Sequence, residues 1–243
     1  MKKIVLLFIS SIYLFAIVSI EPKEIGKKIG VSGEVGVSFQ ADKGNTDMLS
    51  SSISARIEKD KKDSLYFATA SYEYATSKGE KSKDRSFLHL RYLQRINNKN
   101  VSEIFIQFQR DEFKDQSLRA LLGAGDRYKF YDSKNGRAYF GVGFFYDAEK
   151  MRGDGTLEYF RGNFYLSFNK NFNENVKMSF ISYYQPRLDE FSDFESVSSL
   201  EFSVKLTKSL NLLFVTKYDY DSIPIDHIKK YDFTQKMGIT YKF

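Results

Sequence analysis

From Val31 to the last residue, apolar and polar side chains in this chain alternate one by one, and no stretch sustains a helical period. VSGEVGVSFQ sets Val31, Val35, Val37 and Phe39 against Ser32, Glu34, Ser38 and Gln40. RAYFGVGFFYD places Ala138, Phe140, Val142, Phe144 and Tyr146 on one parity. In the closing KKYDFTQKMGITYKF, Tyr231, Phe233, Met237, Ile239, Tyr241 and Phe243 share a face, with Gln235 the one polar exception. Asp232, Thr234, Lys236, Gly238, Thr240 and Lys242 take the other face. Period-two alternation of this kind marks strands with one apolar and one polar side.

About twelve such segments follow one another, each near the ~9–11 residues that a tilted strand needs to cross a bilayer. Their centres lie near Val35, Ile53, Ala70, Leu90, Ile106, Leu122, Val142, Phe164, Phe180, Phe202, Phe214 and Met237. Turn-like connections (EKDKKD, NNKN, DSKNG, NKNFNEN, TKS) alternate with longer, mostly acid-rich ones (TSKGEKSKD, DEFKDQ, EKMRGDGT, RLDEFSDFE, SIPIDHIKK). Short turns at one end and longer loops at the other is the outer-membrane barrel arrangement, and an even strand count puts both termini on the periplasmic side. In lipid every backbone N–H and C=O must be paired internally, so the sheet must close, with the last strand against the first. The apolar parity then faces lipid, and tyrosines and phenylalanines near strand ends, such as Tyr72, Tyr128, Tyr184 and Tyr241, supply interfacial girdles.

The expected organisation is therefore a signal peptide at 1–20, a short periplasmic segment at 21–30 and an all-β transmembrane antiparallel barrel of about twelve strands over 31–243. The leader has Lys2 and Lys3 ahead of an apolar and small-residue run from Ile4 to Ile20, with cleavage expected after Ala16 or Ser19. The chain has no Cys, so no disulfide and no lipid-bearing thiol is available. Its formal charge of +6 is interspersed rather than gathered into a basic patch, which argues against nucleic acid as a partner. The competing architecture is a soluble lipocalin-like barrel or sandwich, since alternation alone does not tell inside from outside.

GEVGVSFQADKGNTD resembles the opening of the YdiY-like salt-induced outer-membrane protein family, also known as domain of unknown function 481, with its turn at Gly44, Asn45, Thr46 and Asp47. RDEFKDQSLRALLGAGDRYKF resembles a second family stretch through Asp111, Phe113, Arg119, Gly123 and Gly125, and YYQPRLDEFSDFE and the final YKF resemble two more. Asp126 and Arg127 stand where the glycine repeat would continue. The resemblance spans essentially all of the chain after the leader. It implies an outer-membrane barrel of about this size and no catalytic mechanism. The terminal Phe243 resembles the signature by which the barrel assembly machinery recognises its clients. That makes the machinery an implied partner, alongside outer-membrane lipid and lipopolysaccharide.

Catalysis is poorly provided for. His89 and His227 are the two histidines, neither sits in a G-x-S-x-G or zinc-ligand spacing, and nothing calls for a cofactor. The expectation is a non-enzyme, the alternatives being a lipid- or lipopolysaccharide-modifying barrel enzyme or a soluble periplasmic barrel binding protein. Acids in the longer loops (Asp111, Glu112 and Asp115; Asp189, Glu190, Asp193 and Glu195; Asp219, Asp221 and Asp226) offer oxygen ligands for divalent cations, although a solvated rim accounts for them as well.

The polar parity lines the lumen. It carries Arg56, Arg91, Arg119, Arg127, Arg137, Arg161, Lys177, Lys217 and Lys236 against Glu34, Glu73, Glu103, Asp147 and Glu201. Of these, Glu34, Arg91, Arg119, Arg127, Arg161 and Glu201 are the candidate functional residues. Either opposite charges cross-link the interior and make a structural barrel, or the surplus of basic groups lines a narrow anion-preferring diffusion path.

Overall fold

The computed structural model of the protein describes residues 23–42, 48–153, 155–224 and 228–243. The expected signal peptide at 1–20, the turn Gly44, Asn45, Thr46 and Asp47, and the loop residues Asp226 and His227 lie outside them. The strands are β1 (Gly30–Asp42), β2 (Met48–Asp60), β3 (Ser64–Ser77), β4 (Glu80–Arg95), β5 (Asn100–Asp111) and β6 (Gln116–Ser133). They continue with β7 (Gly136–Met151), β8 (Thr156–Asn171), β9 (Val176–Pro186), β10 (Phe194–Lys205), β11 (Leu210–Asp221) and β12 (Tyr231–Lys242). Each pairs antiparallel with its sequence neighbours, and β12 returns to β1, giving a closed barrel. All twelve expected segment centres fall inside these strands.

The barrel is turned inside out relative to a soluble one. Leu122, Phe144, Phe160 and Phe214 lie on the outer face and are each more than half exposed, while Asp147 and Glu201 are buried on the inner face. A lipocalin-like fold would place those phenylalanines within. An outer face of this kind is stable only against hydrocarbon.

Two ends can be distinguished. The terminus end carries the start of β1, the end of β12 and the tight turns 61–63, 96–99, 134–135, 172–175 and 206–209. The other, the loop end, is less extended than the sequence suggests. TSKGEKSKD reads as a loop because it is polar on both parities, yet β3 and β4 stay paired to Ser77↔Glu80 and reverse through Lys78-Gly79, both at positive φ (53° and 83°). Positive φ at both central residues is the hairpin turn whose twist matches the flanking strands. Beyond the apolar belt a strand needs no apolar face, so the alternation stops while the ladder continues. DEFKDQ likewise shrinks to a 3-10 turn at Glu112–Lys114, capped by Asp111 accepting from the Phe113 N–H and ended by Asp115 at φ 53°.

Gly123 and Gly141 show how the wall admits large inner side chains. A Cβ on Gly141 would lie 2.1 Å from the Tyr165 ring, and one on Gly123 would lie 2.4 Å from the Phe105 ring. At the seam, the Gly33 and Phe243 backbones exchange N–H···O bonds of 2.9 and 3.0 Å. The Phe243 ring covers the side of Gly33 where a Cβ would stand, 2.6 Å from the nearest ring carbon.

Candidate functional site

Inward side chains fill the barrel in three tiers. The tier nearest the loop end is a lattice of ion pairs. Arg119 on β6 grips Asp147 on the adjacent β7 through Nε (2.9 Å) and Nη2 (2.5 Å). The same guanidinium reaches Glu195 on β10 with both of its terminal nitrogens, at 3.0 and 2.7 Å. Arg161 on β8 adds Asp147 (3.3 Å) and Asp193 (3.2 Å), and Arg187 in the β9–β10 loop closes on Asp193 (3.0 Å). Bidentate Arg–carboxylate pairs are among the stronger charge-assisted hydrogen bonds, and here each buried carboxylate has a cation. Arg119 and Glu195 lie four strands apart in the wall, so this lattice spans the interior as well as the sheet.

On the opposite wall, Glu73 takes Lys83 (3.1 Å) and Lys236 (3.0 Å), joining β3 and β4 to β12. In the middle tier, Arg91 reaches Glu103 at 3.5 Å and donates from Nε to His89 Nε2 at 3.0 Å, while His89 Nδ1 pairs with Gln107 at 2.9 Å. The Tyr165 hydroxyl donates to Glu103 at 3.1 Å. Phe105, Leu121 and Phe145 form an apolar cluster facing into the barrel beside these groups.

The terminus-end tier is built partly from the segment preceding β1. Residues 23–26 fold into the barrel mouth, and 27–29 lead from it, exposed, to β1. Ile25 is buried against Leu65 and Leu93, with Phe67 and Val101 packed beside them. Asp60 accepts from the Gly26 N–H (2.7 Å) and the Lys28 N–H (2.9 Å), and Arg95 donates to the Ile25 carbonyl. Glu24 pairs with Arg137 at 2.7 Å and approaches Lys129 at 3.7 Å. Arg127 donates to the Lys23 carbonyl at 2.8 Å and lies 5.0 Å from the centre of the Tyr139 ring.

Of the candidate lumen residues, Arg119 and Arg161 belong to one lattice, Arg91 to the middle tier and Arg127 to the mouth. Glu34 is buried on β1 with Lys242 Nζ 3.9 Å away, and Glu201 is buried on β10. The structure thus does not gather the six into one site. Several of the loop acids are taken up by separate cations. Asp111 meets Arg85 (2.6 Å), Glu112 meets Lys81 (2.9 Å) and Arg110 (3.2 Å), and Asp193 and Glu195 turn inward to Arg161 and Arg119. Among the described residues no three carboxylate or imidazole groups converge in a way that would hold a metal ion. Sequence reading did not find the inserted segment or Glu24. The signal for it was present in Leu65, Leu93 and Val101, apolar residues that break the polar parity at the terminus end.

A closed antiparallel barrel with an apolar outer belt and an ion-paired interior defines the architectural class of the outer-membrane β-barrels. Within that class, the chain belongs to the family described as "Protein of unknown function, DUF481", whose model matches residues 35–243. Similar solved structures include the translocator domain of the autotransporter NalP from Neisseria meningitidis, at 14% identity and TM-score 0.55 over 88% of this chain and 87% of that one. The NanC porin is similar at 7% identity and TM-score 0.54, over 87% and 100%. A bacterial polysaccharide outer membrane secretin is similar at 8% identity and TM-score 0.50, over 88% and 98%. At such identities the likeness is one of fold. No curated protein matches the chain in sequence.

Proposed function

We propose that this protein resides in the bacterial outer membrane, with both termini in the periplasm, as a non-enzymatic barrel whose lumen is closed at rest. The observation that carries this reading is Arg119, held by Asp147 and Glu195 together across the interior. A second closure, the insertion of residues 23–26 with Ile25 in its socket, supports it at the other end. Against a hydrolase role, both ring nitrogens of His89 are engaged, by Gln107 and Arg91, and neither is left to activate a hydroxyl. Any residual leak prefers anions, because Arg95, Lys99, Arg127 and Lys129 stand at the mouth. The chain reaches the membrane behind its leader and engages the assembly machinery through the strand that ends in Phe243.

The test is single-channel recording from the refolded protein in a planar bilayer. The wild-type protein is expected to be silent or to pass rare small steps, and Arg119→Ser combined with Ile25→Ala, which loosens both closures, to give discrete openings. Steady large conductance from the wild-type protein overturns the closed reading.

A further inference from the structure

The mouth at the terminus end encloses a cavity of about 640 Å³, within the range of small-molecule sites. Arg95, Lys99, Arg127 and Lys129 line it, opposed by Glu24 and Asp132, which leaves two positive charges in surplus. Just outside, Arg137 and Asp63 offset one another, each already paired with a lining residue.

Arg127 is the anomaly among these groups. It is 5% exposed, yet among the described residues no carboxylate stands within ion-pair reach of it. Its charge faces a backbone carbonyl and the face of Tyr139. The other buried lumen arginines are matched: Arg56 with Glu58 at 2.7 Å, and Arg119 and Arg161 with Asp147. A buried cation without a counter-ion is costly, and proteins of ordinary construction supply one.

We propose that the mouth cavity is a binding site for a phosphate-class oxyanion, with Arg127 as its principal donor. A phosphate carrying one to two negative charges at neutral pH matches the surplus, whereas a single carboxylate would leave part of it unmet. Guanidinium groups also suit phosphate through planar, paired N–H donation. Glu24 is the built-in competitor, since its carboxylate already occupies Arg137 and approaches Lys129. The site stands whether or not the lumen conducts. Its ligand is either free phosphate or the phosphate of a lipid headgroup at the barrel rim.

The test is calorimetric titration of the refolded protein in a zwitterionic detergent, with inorganic phosphate in one arm and a short-chain phosphatidic acid in the other. Saturable binding in either arm is expected, and the tighter arm identifies the source. Arg127→Gln should weaken binding about tenfold, the loss of one charge-assisted hydrogen bond or more. Glu24→Gln should strengthen it, because a competing carboxylate is gone. This opposite sign distinguishes a site from a merely structural role, for which both changes act alike. Heat-modifiable gel migration checks that each variant is folded, and if Arg127→Gln does not fold, Glu24→Gln decides alone. No saturable binding to the wild-type protein in both arms, unchanged affinity in folded Arg127→Gln, or unchanged or weaker affinity in Glu24→Gln overturns the proposal.

Discussion

The two ends of this barrel handle buried charge in opposite ways. At the loop end, Arg119 and Arg161 share Asp147 and Glu195, so that cations and anions are matched within the wall and across it. At the terminus end, the inserted segment supplies one carboxylate, Glu24, and among the described residues none stands within ion-pair reach of Arg127. The first arrangement is what an interior needs in order to be permanent, and the second is what it needs in order to be exchangeable. Matched charge holds only while every partner is kept, whereas an unmatched one waits on something mobile.

That contrast is open to direct attack. The largest expected effect is at the matched end. Arg119→Ser leaves Asp147 and Glu195 with Arg161 alone and should cost about 3 kcal/mol, read from urea unfolding of the micelle-embedded protein. Arg127→Ser removes a cation that has no carboxylate partner among the described residues and should cost less than about 1 kcal/mol in the same assay. Equal losses at the two sites would erase the distinction. Next in size, Ile25→Ala should loosen the inserted segment by about 2 kcal/mol, seen as faster protease cleavage near residue 25 with the barrel intact. Gly141→Ala forces the Tyr165 ring to move and should cost about 1–2 kcal/mol of thermal stability, with Gly155→Ala, where a Cβ meets open space, as the neutral control.

The smallest effect is a dependence on pH at the exposed loop. The hydrogen bond from Arg187 holds the Asp189 carboxyl below its usual range. A depressed carboxylate contributes order that is fully present above its unfolded value, near 4, and is lost as pH falls through the lower folded value. Hydrogen exchange in residues 187–193 should therefore rise below about pH 4, while that in β6–β8 stays unchanged.

Much of the wall was legible in the sequence because a period of two is a local property. Val35 through Met237 mark twelve strands without reference to any distant residue. The interior was legible as a face but not as a set of pairs. Arg119 and Glu195 meet only after closure, and their heights depend on the stagger of every strand between them. Leu65 and Leu93 could have announced the inserted Ile25, as Phe105 and Phe145 could have announced Gly123, since each breaks its parity. KEIGKKIG has no period of its own, and the place of Ile25 is set by the socket rather than by local propensity. The loops misled for the opposite reason: above the apolar belt the pairing persists where the pattern that reveals it has ended.

The join between β1 and β12 runs from the Gly33–Phe243 pair only to Val37↔Ile239, whereas β1 follows β2 from Gly30↔Asp60 to Asp42↔Met48. Such a cylinder is notched along one meridian. That meridian has the fewest ladder hydrogen bonds to break, so lateral separation of the wall is expected to begin there. A short seam of this kind directs any yielding sideways, into the membrane plane on the loop-end side of Val37↔Ile239.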